Sequence, residues 1–395
     1  MKIGIVTFVK CDNYGAELQA YALQKKLNVL GYEAEVVDLE KEQGVIESSL
    51  SSYTNAIKNR YKQYGIIKGT AKVLELIKDK YNARRAYAAN ADKVARRHKI
   101  FEDFFNTYIK HSSKYYTLEE MRNAQSLPYD VMIAGSDQIW NFMQTRYLDV
   151  FFLMMANRWH ARKISYAASF SVSKLPDSKK SLYKKYLENM DAISVRETTG
   201  IDIVNNCSCC KATVVLDPTL LIKREEWVEY LGKEDYLPKD RKYVVIYTLS
   251  GSHYIYTLAK KIARKLGAEV INIKLGFSKV EGDDGITHIG DAGPREFISI
   301  FNQAVYVITD SFHGTAFSIN FNIPFTTLLN PVSNINSRAL SILKLTGTES
   351  RLIYDDGSNK APDTLNLDFA PINKVIDRER KSSLEFLISS LTERK

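Results

Sequence analysis

Short β-branched runs alternate with helix-period stretches along nearly the whole chain, and that alternation admits few folds. Ile3-Gly4-Ile5-Val6 lies in a strand expected over residues 2–8. A turn, Val9-Lys10-Cys11-Asp12-Asn13-Tyr14-Gly15, leads into a helix over 16–30 with Leu18, Tyr21, Ala22 and Leu27 on one side. Gly31 stops the helix and a second strand covers 33–39. Such a β-α-β opening requires a parallel sheet with a right-handed crossover. Further strands are expected over 129–134, 164–168, 192–195 and 213–216. The pattern restarts at Tyr243-Val244-Val245-Ile246-Tyr247. It continues through a helix at 253–266, a strand at 269–273, a helix at 294–303 and the run around Val307 and Ile308. Helices at 336–345 and 372–391 close the chain.

At 395 residues this exceeds one ordinary core, so two α/β domains of Rossmann-like build are expected to face each other across a cleft. The first spans 1–222, with a basic helical insert at about 45–115. A linker over 223–241 contains Trp227, the second domain covers 242–370, and a last helix at 371–395 can pack back on the first domain.

The strand ends carry the chemistry. Val307-Ile308-Thr309 delivers Asp310-Ser311-Phe312-His313-Gly314-Thr315, with Asp310 or Ser311 placed to cap the following helix and Gly314 allowing a close approach to the backbone. His313 thus stands beside free helix N–H groups, where open α/β sheets hold anions. It can equally be a histidine that caps a helix or bonds a core carbonyl. Asn13, Tyr14 and Gln19 face the same edge, unless Asn13-Tyr14-Gly15 is only a cap and turn. That turn has neither G-x-G-x-x-G nor G-K-[ST] spacing. Ser136-Asp137-Gln138-Ile139-Trp140-Asn141 is dense in hydrogen-bonding groups, and Trp140 offers a face for a sugar ring or else belongs to the core. Arg196 can fork onto a carboxylate or phosphate, or be neutralised by Glu197. Asp217-Pro218 ends the strand at 213–216.

Charge narrows the partners. Between Lys58 and Lys114 stand 15 Lys and Arg against 5 Asp and Glu, out of 55 and 46 for the chain, so the remainder is close to neutral. A nucleic-acid-wrapping body is not expected, and the basic residues are not interleaved with stacking aromatics. Arg60, Lys62, Lys68, Lys72, Arg84, Arg85, Arg96, Arg97 and Lys99 make either a solvated face or a landing surface for anionic headgroups or a phosphate-linked carrier. Each such residue contributes about 1 kcal/mol near an anionic membrane. Apolar runs are too short to span a bilayer and the amino terminus has no signal-peptide pattern, so a cytoplasmic location is expected. Cys207, Cys209 and Cys210 lack the gap of zinc sites, and no metal is expected.

Taken in order, these pieces resemble the polysaccharide pyruvyl transferase family. The residues that carry the likeness are Asn13-Tyr14-Gly15-Ala16-Glu17-Leu18-Gln19, Ala134-Gly135-Ser136-Asp137-Gln138-Ile139-Trp140-Asn141, Ser165-Tyr166-Ala167-Ala168-Ser169-Phe170, Ser194-Val195-Arg196-Glu197, Leu216-Asp217-Pro218-Thr219-Leu220 and Thr309-Asp310-Ser311-Phe312-His313-Gly314. The resemblance implies a fold similar to GT-B glycosyltransferases and transfer from phosphoenolpyruvate to a sugar of a surface polysaccharide precursor. The product is then a cyclic pyruvate ketal plus phosphate, with no further cofactor. The acceptor is lipid-linked or nucleotide-linked, and the enzyme can touch the inner face of the membrane.

His313 and Arg196 are the expected catalytic pair. Asp310, Ser311, Phe312, Gly314 and Thr315 are expected at the donor. Asn13, Tyr14, Gln19, Ser136, Asp137, Gln138, Trp140, Asn141 and Asp217 are expected at the acceptor. Some relatives carry Arg two positions before this histidine, where this chain has Ser311. That duty then passes to Arg196, a lysine of the second domain or the helix N–H groups. A nucleotide-sugar glycosyltransferase of GT-B-like fold and a non-catalytic glycan-binding relative are the alternatives.

Overall fold

Val6, Ala134 and Thr309 end strands buried on both faces, so the polar turns after them are the points at which each sheet meets its ligand edge. The computed structural model describes residues 1–41, 70, 85, 88–232, 236–238, 240–274, 285–331, 336–356 and 360–392. In the first half, β1 (Lys2–Val6), β2 (Glu33–Leu39), β3 (His111–Tyr116), β4 (Val131–Ala134) and β5 (Arg162–Ser165) form a parallel sheet ordered β3-β2-β1-β4-β5. A parallel pair, β6 (Ile193–Val195) and β7 (Ala212–Val214), extends it through bridges from Ile164 to Ala192 and from Ala168 to Val195. The second half comprises β8 (Tyr243–Tyr247), β9 (Glu269–Ile273), β10 (Thr287–Ile289), β11 (Tyr306–Thr309), β12 (Phe325–Leu329) and β13 (Leu352–Tyr354). Its order, β10-β9-β8-β11-β12-β13, repeats the first sheet's central layout. Strand order reverses between β1 and β4 and again between β8 and β11. Open α/β sheets leave a crevice at such points.

One apolar cluster runs through both halves, from Ile3, Val36 and Leu18 to Tyr247, Phe297 and Phe317. At the seam, Tyr14 stacks on Phe297 with ring centroids 4.8 Å apart, and its hydroxyl donates to the Ala292 carbonyl at 2.8 Å. Aromatic pairs of this kind add about 0.5–1.5 kcal/mol beyond area burial. The helix Ala370–Thr392 also crosses to the first half: the Leu216 N–H donates to Ser383 Oγ, and Arg380 Nε to the Leu220 carbonyl.

The expected basic helical insert needs correction in its described part. Residues 111–116 form a strand beside β2, not helix; Ser112 Oγ takes the Asp38 N–H and the Tyr116 carbonyl takes the Glu40 N–H. Only Ser112 of that strand is buried, so its sequence shows no apolar alternation. Arg97, on the helix Ala91–Tyr108, is not a surface cation either. It is 3% exposed and donates to the carbonyls of Asp12, Lys274 and Gly290 and to Tyr14 Oη, tying the halves together. Arg85 and Lys99 are exposed, and Arg96 lies 3.9 Å from Asp291. Arg60, Lys62, Lys68, Lys72 and Arg84 lie outside the described residues. Among the described residues, no helix is long and apolar enough to cross a membrane, and no group of three or more His, Cys, Asp or Glu is placed to hold a metal.

Candidate active site

Beyond β11 the chain turns because Thr309 Oγ1 donates to the Tyr247 carbonyl and accepts the Ser311 N–H. The Asp310 carboxylate takes the N–H groups of Leu249 and Ser250 and the hydroxyls of Thr248 and Ser250, fixing the loop after β8. Ser311 is the N-cap of the helix Phe312–Asn320, but its side chain makes no capping bond. A Cβ on Gly314 would lie 2.2 Å from Thr309 Oγ1, so this glycine lets the helix sit on its own sheet. Thr315 Oγ1 is used on the Ser311 carbonyl and Thr327.

His313, 6% exposed, leaves that helix start toward the first half. There Gly15 meets it: a Cβ at position 15 would lie 2.0 Å from His313 Nδ1. Asn13 caps the opposing helix, its Oδ1 accepting from the N–H groups of Gly15 and Ala16. Two helix N-termini therefore converge on one imidazole, and both carry positive dipole ends.

Behind the ring lies a buried charge hub. Asp217 Oδ2 accepts from Arg196 Nη1 at 2.7 Å and Ser136 Oγ at 2.8 Å, and lies 3.8 Å from His313 Nε2. Its Oδ1 holds the N–H and hydroxyl of Thr219. Burial opposes ionisation of Asp217, but Arg196 and His313 outweigh it and hold the carboxyl at about 2. Arg196 also lies 3.6 Å from Asp137 Oδ1, and its guanidinium sits 4.6 Å from the Phe312 ring centroid. Burial depresses the His313 pKa to about 4 against the pull of Asp217, so the imidazole is neutral near pH 7.

A cavity of about 290 Å³ opens from this hub between the halves. Asn13, Asp137 and Gln138 line it from the first half; Ser250, Asp310, Ser311, Phe312, His313, Asn330, Arg338 and Asp355 line it from the second. Of the sequence-marked residues, several lie elsewhere. Trp140 is fully buried against Phe152, its indole N–H on the Phe151 carbonyl. Tyr14 is spent on the seam, Gln19 bonds Thr7, and Asn141 Oδ1 braces the Met143 N–H. Ser136 and Asp217 sit one layer behind the cavity, as does Arg196. Glu197 does not pair with Arg196; its Oε1 takes Ser169 Oγ and the N–H groups of Phe170 and Ser171.

Sequence reasoning missed Asn330, Asp355 and Arg338. Asn330 follows β12, whose Phe-Thr-Thr-Leu-Leu run mixes threonine with apolar residues, Asp355 follows the three-residue edge strand β13, and Arg338 lies at the start of a helix that bears no motif. A wider hollow of about 700 Å³, lined by Met1, Asp130, Arg162 and Leu391, lies at the amino-terminal edge of the first sheet, away from the polar turns.

One further buried carboxyl lies in the first turn of the helix that Asn13 caps. Glu17 is fully buried; Oε1 accepts the Cys11 N–H and Oε2 has no partner, and burial pushes its pKa up to about 8. Between about pH 4.5 and 8 the folded chain keeps this proton and the unfolded chain does not. The contribution of Glu17 to stability therefore falls as pH rises through that window. Urea midpoints at pH 5, 6.5 and 8 are expected to decline less in Glu17→Gln than in the wild type. Parallel declines would show that Glu17 is already ionised when folded.

Comparison with known proteins now places the chain. The family model for polysaccharide pyruvyl transferase matches residues 13–331. The chain belongs to the polysaccharide pyruvyl transferase family. A search of curated proteins gives no match. Among solved structures, a UDP-N-acetylglucosamine 2-epimerase matches with a TM-score of 0.53 at 11% identity, covering 100% of this chain and 96% of that one. The UDP-GlcNAc 2-epimerase from Neisseria meningitidis, solved bound to UDP-GlcNAc, matches with 0.51 at 10% identity, covering 98% and 100%. A putative UDP-N-acetylglucosamine 2-epimerase from Listeria monocytogenes gives 0.50 at 10% identity over 100% and 97%. At such identities the likeness establishes the fold. This family member has the two-domain α/β GT-B architecture expected from its alternating pattern and motifs.

Proposed function

We propose that the chain is a ketal-forming pyruvyl transferase that moves the enolpyruvyl group of phosphoenolpyruvate onto a sugar of a surface polysaccharide precursor. Family membership supports a transferase. The observation that carries the reading is His313, which lines the cavity between two helix starts while its buried Nε2, 3.8 Å from Asp217 Oδ2, makes no hydrogen bond. A neutral imidazole beside two helix N-termini suits a small anionic donor.

Reaction begins when C3 of the enol takes a proton, which makes C2 electrophilic. A sugar hydroxyl adds to C2, the bond from C2 to the phosphate oxygen breaks, and phosphate leaves with the electron pair. The second hydroxyl then closes the ring at C2. One hydroxyl proton replaces the proton delivered to C3 and the other ends on phosphate. A bound dianion raises the depressed His313 pKa, so the donor itself readies the imidazole to act as general acid.

The acceptor is lipid-linked or nucleotide-linked, and the stretch 58–114, Arg97 apart, supplies contacts to an anionic membrane at its inner face. The GT-B relatives that carry UDP-GlcNAc in their names motivate a second reading, action on a nucleotide sugar. Incubation with phosphoenolpyruvate and galactose- or N-acetylhexosamine-terminated acceptors is expected to release phosphate only when both are present. Phosphate release with no acceptor dependence, or UDP binding without phosphoenolpyruvate binding, would contradict the assignment.

A further inference from the structure

Arg338 is the second residue of the ten-residue helix Ser337–Thr346, whose N-cap Asn336 makes no side-chain capping bond. The arginine is 7% exposed and lines the same cavity as His313, yet its Nε has no partner. Among the described residues, no hydrogen bond or ion pair engages its guanidinium. Ser337 Oγ beside it is also buried and unpartnered. Nearby carboxylates hydrogen-bond other donors: Asp217 to Arg196, Ser136 and Thr219, Glu197 Oε1 to the 169–171 turn, and Asp310 to the 248–250 loop; Asp137, Glu197 and Asp217 attract the Arg338 charge without bonding it.

An unpaired buried guanidinium is costly, and burial with repulsion from Arg196 lowers its pKa to about 10. Arg196 Nε is likewise unpartnered, but the charge of Arg196 is matched by Asp217 at 2.7 Å and Asp137 at 3.6 Å. The cation left facing the cavity is therefore Arg338.

We infer that Arg338, together with the free N–H groups opening its helix, is the ligand for the phosphate group of the anionic substrate. Arg196 acts behind it, fixing Asp217 and the Phe312 ring. Ser311 can then be uncharged, because the phosphate is gripped from the neighbouring helix rather than from the residue two positions before His313. The inference deepens the pyruvyl transferase reading and rests on it for the identity of the donor. The anion site itself can be tested separately.

Titration calorimetry with phosphoenolpyruvate and with inorganic phosphate, on wild type, Arg338→Gln and Arg338→Lys, provides that test. Loss of one charge-assisted contact predicts roughly 10- to 100-fold weaker binding of both anions in Arg338→Gln, with part of the loss recovered in Arg338→Lys. The melting temperature of Arg338→Gln is expected to stay level or rise, since an unpaired cation is removed; a merely structural arginine would lower it. Unaltered phosphoenolpyruvate binding in Arg338→Gln overturns the inference and leaves the function intact. Equal wild-type affinity for phosphate and phosphoenolpyruvate, lost together in Arg338→Gln, supports the anion site while counting against the pyruvyl reading. Should Arg338→Gln fail to fold, undiminished binding in Arg338→Lys together with a melting temperature insensitive to phosphate in the wild type overturns the site.

Discussion

His313→Ala is expected to lower turnover by roughly 10²–10⁴-fold while the protein stays folded. The imidazole makes no hydrogen bond through Nε2, and Asp217, 3.8 Å away, keeps Arg196, Ser136 and Thr219, so the cost to stability is that of a partly vacated contact. Gly15→Ala gives an independent route to the same loss. Its methyl group would be built 2.0 Å from His313 Nδ1 and 2.5 Å from the ring carbons Cγ and Cε1, so the ring must move or the helix starts must separate. The backbone of Gly15 has no positive φ that forbids alanine, which isolates the clash as the cause. Rates within a few-fold of wild type for both variants, in a phosphate-release assay on well-folded protein, would remove His313 from the chemistry.

The second large effect falls on stability. Asp217→Ala strips the hydrogen-bonded carboxylate from Arg196, whose side chain is 1% exposed, and leaves the guanidinium with Asp137 at 3.6 Å. Breaking a buried pair from one side costs about 3–5 kcal/mol, because the remaining charge stays desolvated. The same substitution removes the acceptors for Ser136 and Thr219 and so loosens both turns behind the cavity. Urea unfolding measures the loss; a change under about 1 kcal/mol would mean that the hub is solvated or that another acid takes over. In the wild type, the contribution of Asp217 is present above about pH 3.8 and fades as pH falls toward 2.

Both sheets were legible where strands are buried on two faces. Ile3–Val6, Val131–Ala134, Tyr243–Tyr247 and Tyr306–Thr309 are apolar enough to mark themselves, and the helices between them carry the 3.6-residue period. Edge strands were not. His111–Tyr116 pairs through backbone and Ser112 rather than through an apolar face, and Thr287–Ile289 and Leu352–Tyr354 are three residues long.

At the site, local sequence identifies a residue type and a strand end but not what the side chain meets. The Trp140 face that the sequence offers to a sugar ring is covered by Phe152, stacked 4.4 Å away. Arg97 stands in a basic run of sequence, but its partners come from residues 12, 274 and 290, far off in sequence. Arg338 had no motif because its meaning depends on a neighbouring helix bringing His313 to the same cavity. Glu17 sits inside a recognisable motif, yet the burial that pushes its pKa up to about 8 comes only from the fold.

Crystallography of the protein with phosphoenolpyruvate tests the central claim, that a small dianion is held at the seam of the two halves. The phosphate and carboxylate are expected in the cavity lined by Asn13, Asp137, Ser311, His313 and Arg338, with the His313 imidazole in contact with the ligand. Well-defined density for the ligand elsewhere, with the cavity beside His313 and Arg338 empty, would contradict it.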